Sequence, residues 1–425
     1  EDLNTPLFSY LLHLFLLVFG TSDAAVRILP AFCGVLMVLL TYRIGNKVFS
    51  RDVSFIGAAL LSSSAFFIYH VQYCRPHALG ALFMLLVVDA FLSFRETPSW
   101  KFLFLYILWG ALGFYILIFN AVLFLVLNVY ALFVWRRNWV LLKKWVLGQV
   151  ILAGIVAAWI PVFLGHAEKA GHVFAVPGLM GYVTGIPLVF YQLSVGMTVA
   201  RDFMGGVISF RELIYIGVAL LVFSAPLFLS AKELFRRREG GFLALWVILF
   251  PVIFLLAWIL LNFEFEPRYM LGSVSGYFLL VAFGCSRFKN FALKWGCIGA
   301  VVGLNLVSLY NYHFSDHYRR QALRPATQFI EKNAGPDSVV FYSGRTPFPW
   351  YHTRDDIQSF EVSSEKTWSL FSNEMKSKEG FWVIVSQKDL WVDEWLSSVR
   401  EKYEEISVKT LPGNRITKVF YYAHR

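Results

Sequence analysis

The chain has 425 residues, of which 57% are hydrophobic, 18% aromatic and only 16% charged, with a formal net charge of +10. A soluble domain carries about 25% charged and roughly 45–50% apolar residues. One water-soluble core cannot hide this apolar surplus, so the chain reads as an integral membrane protein. That excludes a cytosolic nucleotide-binding enzyme, a nucleic-acid-binding module and a disordered scaffold. The positive charge is expected in cytoplasmic loops rather than on a nucleic-acid face.

In chain order, Pro6 to Phe19 is apolar but short and reads as a helix lying in the outer interface. Ten candidate spans follow, at residues 26–42, 52–70, 77–94, 102–118, 121–135, 145–165, 212–230, 242–261, 269–285 and 295–312. The run Phe102 to Trp135 is long enough for two crossings, with Asn120 at the tight turn between them. Asp89 is the one acid well inside a span and reads as a structural partner. Cys33, Cys74, Cys285 and Cys297 form no closely spaced pair and read as small buried hydrophobes. One alternating set of loops carries sixteen basic residues. The other, apart from the C-terminal region, carries six: Arg27, Arg75, Lys169, Arg201, Arg211 and Arg268. Basic loops stay in the cytoplasm. The chain start, the loops near 71–76, 166–211 and 262–268, and everything after about residue 313 are therefore expected outside.

After Tyr312 charges return and the pattern alternates between helix and strand. Ser338 to Tyr342, Phe381 to Val385 and Ile416 to Tyr422 read as strands. Arg324 to Asn333, Trp368 to Lys378 and Val392 to Ile406 read as helices. The organisation expected is an outward loop and interfacial helix at 1–25, a transmembrane domain of about ten spans at 26–312, and a soluble extracytoplasmic α/β domain at 313–425.

Three polar clusters sit where apolar helices meet the outer headgroup layer: Glu1-Asp2-Leu3-Asn4-Thr5-Pro6, Tyr69-His70-Val71-Gln72-Tyr73-Cys74-Arg75-Pro76-His77, and Glu264-Phe265-Glu266-Pro267-Arg268-Tyr269. Singly, such residues often only snorkel or form the aromatic belt. Arg75 and Arg268, however, stand on the face poor in positive charge. A planar guanidinium grips two phosphate oxygens at once, so a phosphate-bearing ligand at the outer interface accounts for both.

The blocks Asp-Leu-Asn-Thr-Pro-Leu-Phe-Ser-Tyr, Ala-Ala-Val-Arg27-Ile-Leu-Pro30, Tyr-His-Val-Gln72-Tyr-Cys-Arg75-Pro-His77-Ala-Leu and Arg268-Tyr269-Met-Leu, in that order, resemble the dolichyl-phosphate-mannose-protein mannosyltransferase-like family. These are GT-C multi-pass glycosyltransferases that include lipid A aminoarabinose and galacturonic acid transferases. The similarity is strong over about the first hundred residues. Asn4 and Thr5 stand where the family has His and Pro, Tyr73 where it has Glu, and His77 where Tyr is common.

The resemblance implies an α-helical multi-pass GT-C protein of the inner cell membrane, with its site and a small C-terminal α/β domain outside. It implies a polyprenyl-phosphate sugar as donor and a lipid, glycan or protein as acceptor, with no nucleic acid. It also implies a catalytic aspartate and a first span upstream of Glu1, leaving Asp2 as the nearest acid. The substrate-binding candidates are Arg75, His77, Gln72, Arg268, Tyr269, Asn4, Glu264 and Glu266. No metal site is assigned: Glu264 and Glu266 read first as a solvated loop, with an acceptor, a divalent metal ion or their neighbouring cations as the partners the residues leave open. His166, Glu168 and His172 read as a polar loop, and the glycine-rich stretch 166–211 as a lid or a surface loop. The alternatives are a polytopic transporter or flippase, an O-antigen-ligase-like protein of cell-envelope glycan assembly, or a structural membrane subunit. A transporter calls for paired halves and charges near the midplane. Here no repeat is present and the charges gather at the rim.

Overall fold

The structure is a computed structural model. It describes residues 6–162, 187, 189–196, 210–261, 267–315, 323–343, 348–362, 380–385, 390–411 and 417–424. The chain divides into two compact units, Glu1–Ser308 and Leu309–Arg425.

The first unit is helical. Its elements are α1 (Leu7–Phe19), α2 (Asp23–Val48), α3 (Arg51–Ser62), α4 (Ala65–His70), α5 (Pro76–Glu96), α6 (Trp100–Ile116), α7 (Ala121–Trp135), α8 (Trp139–Ala157), α9 (Phe210–Arg236), α10 (Arg238–Leu261), α11 (Val274–Ser286) and α12 (Phe291–Phe314). Seven helical segments among the described residues are long and apolar enough to cross a membrane by length and composition. Leu7–Phe19, Trp100–Ile116 and Val274–Ser286 are apolar but shorter. Large side chains such as Leu14, Phe104, Phe133, Phe228 and Phe291 face outward. Lipid, not water, is the solvent such a surface suits, and the protein is a multi-pass membrane protein.

Helix α5 lies at the centre and is buried along almost its whole length. Small residues let the helices around it approach one another, as membrane helices require in the absence of a hydrophobic drive between them. A Cβ on Gly45 or Gly57 would fall within 2.8 Å of the Leu279 side chain. Asn120 holds the turn after α6 as expected: its Nδ2 donates to the carbonyls of Gly80 at 3.0 Å and Gly113 at 2.9 Å.

Three expectations are corrected. The span at 52–70 is broken after Ser62. Ser64 caps α4 by accepting from the Phe67 amide at 3.2 Å, and Asn305 Oδ1 accepts from the Ala65 amide at 2.8 Å. The span at 269–285 begins as a 3-10 turn, Pro267–Gly272, and α11 starts only at Val274. The stretch 166–211 is not all loop: residues 189–195 are helical. There Ser194 Oγ and the Tyr277 hydroxyl lie 2.5 Å apart, and Ser308 donates to the Val195 carbonyl.

The second unit is a five-stranded sheet in the order β2-β1-β3-β5-β4, built from β1 (Val339–Ser343), β2 (Gln358–Val362), β3 (Gly380–Val385), β4 (Tyr403–Leu411) and β5 (Thr417–His424). β1 runs parallel to β2 and β3, and β5 antiparallel to β3 and β4. Alternate side chains feed two cores. Phe341, Phe381, Val383, Phe420 and Tyr422 meet Trp395 and Val399 of α15 (Leu390–Lys402). Val340, Trp382, Ile384 and Val419 meet Ala326 and Ile330 of α13 (Leu323–Asn333) and Phe348 of the short α14 (Phe348–Tyr351). The helix expected over Val392–Ile406 ends at Lys402. Residues 403–411 instead pair with β5 as a largely exposed edge strand, so tertiary pairing overrides a charged, helix-like composition. β2 has no counterpart among the expected strands, and the expected helix Trp368–Lys378 lies outside the described residues.

Candidate functional site

The candidate site is assembled around the first turn of α5. Pro76 occupies the first helical position and Arg75 is the extended N-cap residue, with no side chain capping the turn. Proline there forgoes an amide that would lack an intrahelical partner in any case. The remaining first-turn amides and the helix dipole give this end a partial positive charge.

His77, one residue inside, is 8% exposed, and its Nδ1 has no hydrogen-bond partner among the described residues. The charges of Arg268, His70 and Arg75 all act on its ring. The two arginines expected to cooperate, some 190 residues apart in the chain, therefore converge on one imidazole. Arg75 is exposed and Arg268 half-buried.

The turn Pro267–Gly272 brings Arg268 there. It packs on α5, and Gly272 lies so close to Met84 Sδ that a Cβ would collide with it. Tyr269 on the same turn is enclosed by rings. His77 stands edge-on at 5.8 Å, Phe119 at 4.4 Å, and Phe254 stacks at 5.5 Å with an 18° interplanar angle. Phe119 and Phe254 escaped the sequence reading: they sit in unbroken apolar runs, where nothing sets them apart. On the other flank the Tyr69 and Tyr73 hydroxyls lie 2.8 Å apart, and the His70 ring meets Phe66, Tyr69 and Tyr73.

Of the sequence candidates, Arg75, His77, Arg268 and Tyr269 are brought together. Gln72 lies half-buried in the turn between α4 and α5. Asp2, Asn4, Glu264 and Glu266 lie outside the described residues, as do His166, Glu168 and His172. Among the described residues no group of three or more His, Cys, Asp or Glu is arranged to hold a metal ion.

The opposite end of α5 is of another kind. Asp89 Oδ1 accepts from Lys47 Nζ at 2.5 Å and Arg43 Nε at 3.0 Å, and Lys47 also reaches Ser93 Oγ at 2.5 Å. Asp89 is thus the structural partner its place suggested. The four cysteines are free thiols, with Cys285 and Cys297 facing each other at 3.2 Å between sulfurs.

A helical bundle followed by a small C-terminal sheet is an architecture that several solved membrane proteins share. Residues 4–161 match the sequence profile of the dolichyl-phosphate-mannose-protein mannosyltransferase family. The fold is similar to that of ArnT from Cupriavidus metallidurans bound to undecaprenyl phosphate, with a TM-score of 0.58 and 13% identity over 98% of this chain and 87% of that one. It is also similar to the oligosaccharyltransferase AglB from Archaeoglobus fulgidus in complex with an inhibitory peptide and a dolichol-phosphate, with a TM-score of 0.52, 11% identity, and coverage of 91% and 62%. The mycobacterial arabinofuranosyltransferase AftD matches with a TM-score of 0.51, 12% identity, and coverage of 98% and 34%. No curated protein matches the chain significantly in sequence. The first part of the chain is thus similar to the mannosyltransferase family, and the chain as a whole has the GT-C type fold of these membrane proteins.

Proposed function

We propose that the chain transfers a sugar, a hexose or pentose, from a polyprenyl-phosphate donor to a lipid, glycan or protein acceptor on the extracytoplasmic side. The observation that carries this reading is the convergence of Arg75 and Arg268 on His77 at the start of α5. Among the described residues the charges acting on His77 are Arg268, His70 and Arg75, and the helix N-terminus adds amides of the same sign. An anion is what such a place attracts. The phosphate of a lipid whose tail lies among the exposed apolar helices has both the charge and the anchorage to dock there.

In the reaction an acceptor hydroxyl oxygen forms a bond to the anomeric carbon. The bond from that carbon to the phosphate oxygen breaks, and its electron pair leaves on the lipid phosphate. The hydroxyl proton passes to a carboxylate. Arg75 and Arg268 stabilise the charge gathering on the leaving phosphate, where fixed donors act most strongly because they need no reorganisation. Tyr269, with Phe119, Phe254 and His77 around it, offers a ring face against which a sugar or the first isoprene unit can pack. Gln72 and Asn4 are assigned to the sugar hydroxyls, and Glu264 and Glu266 to the acceptor or a divalent ion; chelator-sensitive transfer tests the latter.

Membranes carrying the full-length protein with Arg75→Ala or Arg268→Ala are expected to lose sugar transfer from a radiolabelled polyprenyl-phosphate donor while retaining a monodisperse protein in detergent. Undiminished transfer in both variants would overturn the phosphate grip.

A further inference from the structure

We propose that the end of the helical unit away from Arg75 and Arg268 holds the headgroup of an anionic phospholipid in a second, non-catalytic site. A cavity of about 690 Å³ opens there between the α7–α8 turn, with Arg136 and Arg137, and the α9–α10 turn, with Arg236 and Arg237. α7 begins beside Phe119, which touches Tyr269, and runs 15 residues before reaching this turn. At 1.5 Å per residue the two sites stand roughly 20 Å apart along the helix. Nothing bound at one touches the other.

The cavity brings four guanidinium-bearing residues together with little among the described residues to offset them. Arg237 is paired with Glu233 at 3.2 Å. Arg136, Arg137 and Arg236 make no ion pair among the described residues, and no described carboxylate lines the cavity. Like charges held around one space repel unless an anion sits between them. The bias of basic residues toward one membrane face does not by itself demand this convergence. Lys143 and Lys144, on α8 just beyond the same turn, lie over the rings of Trp139 and Trp100 instead.

The walls say which anion. Phe133 and Phe235 line the cavity and are 69% and 64% exposed, on a surface made for hydrocarbon. Arg136 lies over the Phe133 ring at 5.4 Å from its centroid, so cation and apolar wall are contiguous. The α9–α10 turn is tight: a Cβ on Gly240 would fall 2.5 Å from the Leu234 carbonyl oxygen. Gly241, next to it, lines the cavity without a side chain. A phosphodiester headgroup with its acyl chains along Phe133 and Phe235 satisfies cations and apolar wall together, as basic pockets between membrane helices do for anionic lipids. A free phosphate satisfies only the cations.

The test uses the full chain in nanodiscs. Phosphatidylglycerol is the probe, phosphatidylcholine the neutral comparator and millimolar inorganic phosphate the competitor, with retained lipid read by native mass spectrometry. The wild type is expected to retain phosphatidylglycerol with an affinity that falls as salt rises. The combined Arg136→Gln, Arg137→Gln, Arg236→Gln variant is expected to bind it about a hundredfold more weakly. Lys143→Gln with Lys144→Gln is expected to bind as wild type. If the arginine-to-glutamine variant fails to fold, the wild-type salt dependence and Arg-to-Lys replacements at the same three positions, which keep most of the affinity, carry the test. Equal affinity in the Arg136→Gln, Arg137→Gln, Arg236→Gln variant and the Lys143→Gln, Lys144→Gln variant, loss of affinity in the Arg-to-Lys replacements, equal retention of phosphatidylcholine, salt-independent binding, or displacement by inorganic phosphate would each overturn the proposal.

Discussion

The two ends of helix α5 solve opposite electrostatic problems. Around Asp89 one acid meets Lys47, Arg43 and Ser93, and every charge has its partner within 3.0 Å. Around His77 the charges that act, among the described residues, are Arg268, His70 and Arg75. Membrane helices keep buried charge only where it is paired or put to use. The paired end holds the bundle together. The cationic end is the one to which the proposed function assigns a lipid phosphate.

The sharpest way to break this comparison is to remove cations from the open end. Arg75→Ala and Arg268→Ala should each lower transfer by about a hundredfold to a thousandfold, the effect of deleting one positioned donor to a developing anion. Thermal stability in detergent should hardly change. A melting temperature that collapsed with either would make this end a structural clamp like the other.

The reverse pattern is expected at the closed end. Asp89→Ala leaves Lys47, whose side chain is 16% exposed, buried without a counter-ion. Breaking such a pair costs about 3–5 kcal/mol, visible as a large fall in the detergent melting temperature. Lys47→Met together with Asp89→Leu should recover most of that loss, and transfer per folded molecule should stay near wild type.

A smaller effect separates position from charge. Gly272→Ala drives a Cβ against Met84 and should shift the turn carrying Arg268 and Tyr269, at about 1–3 kcal/mol of overpacking. Loss of transfer that Met84→Ala restores would show that the open end depends on where its cations are held.

The smallest effect belongs to the second unit, which should titrate separately from both ends of α5. Burial pushes Glu331 up, but the Thr353 amide at 2.6 Å, the Thr353 hydroxyl at 3.0 Å and His352 at 3.2 Å hold it below the usual carboxylate range. A carboxyl lowered on folding stabilises the unit above its ordinary value of 4.5, and that contribution fades as pH falls through the lower folded value. Glu331→Gln should flatten this acid limb in near-ultraviolet circular dichroism without altering transfer at neutral pH.

Much of this was readable from residue order, for physical reasons. Long apolar runs are forced on any chain whose backbone must satisfy itself in lipid, so the spans and the Asn120 turn stood out. Arg75 and Arg268 stood out because they oppose the charge bias of their loops. What escaped depended on contacts distant in sequence. The break between α3 and α4 rests on Asn305, and the 3-10 turn on a close approach to Met84. The β4 edge strand rests on pairing with β5, and the ring wall of Tyr269 on two phenylalanines indistinguishable from their neighbours.

The Asp89 clamp also has a bearing on biogenesis. α2 leaves the ribosome before α5, so Arg43 and Lys47 enter the translocon before their acid has been synthesised. Until residue 89 arrives, those cations hold the lower end of α2 at the water boundary. Closing the clamp then ties α2 to α5 through Arg43, Lys47 and Asp89.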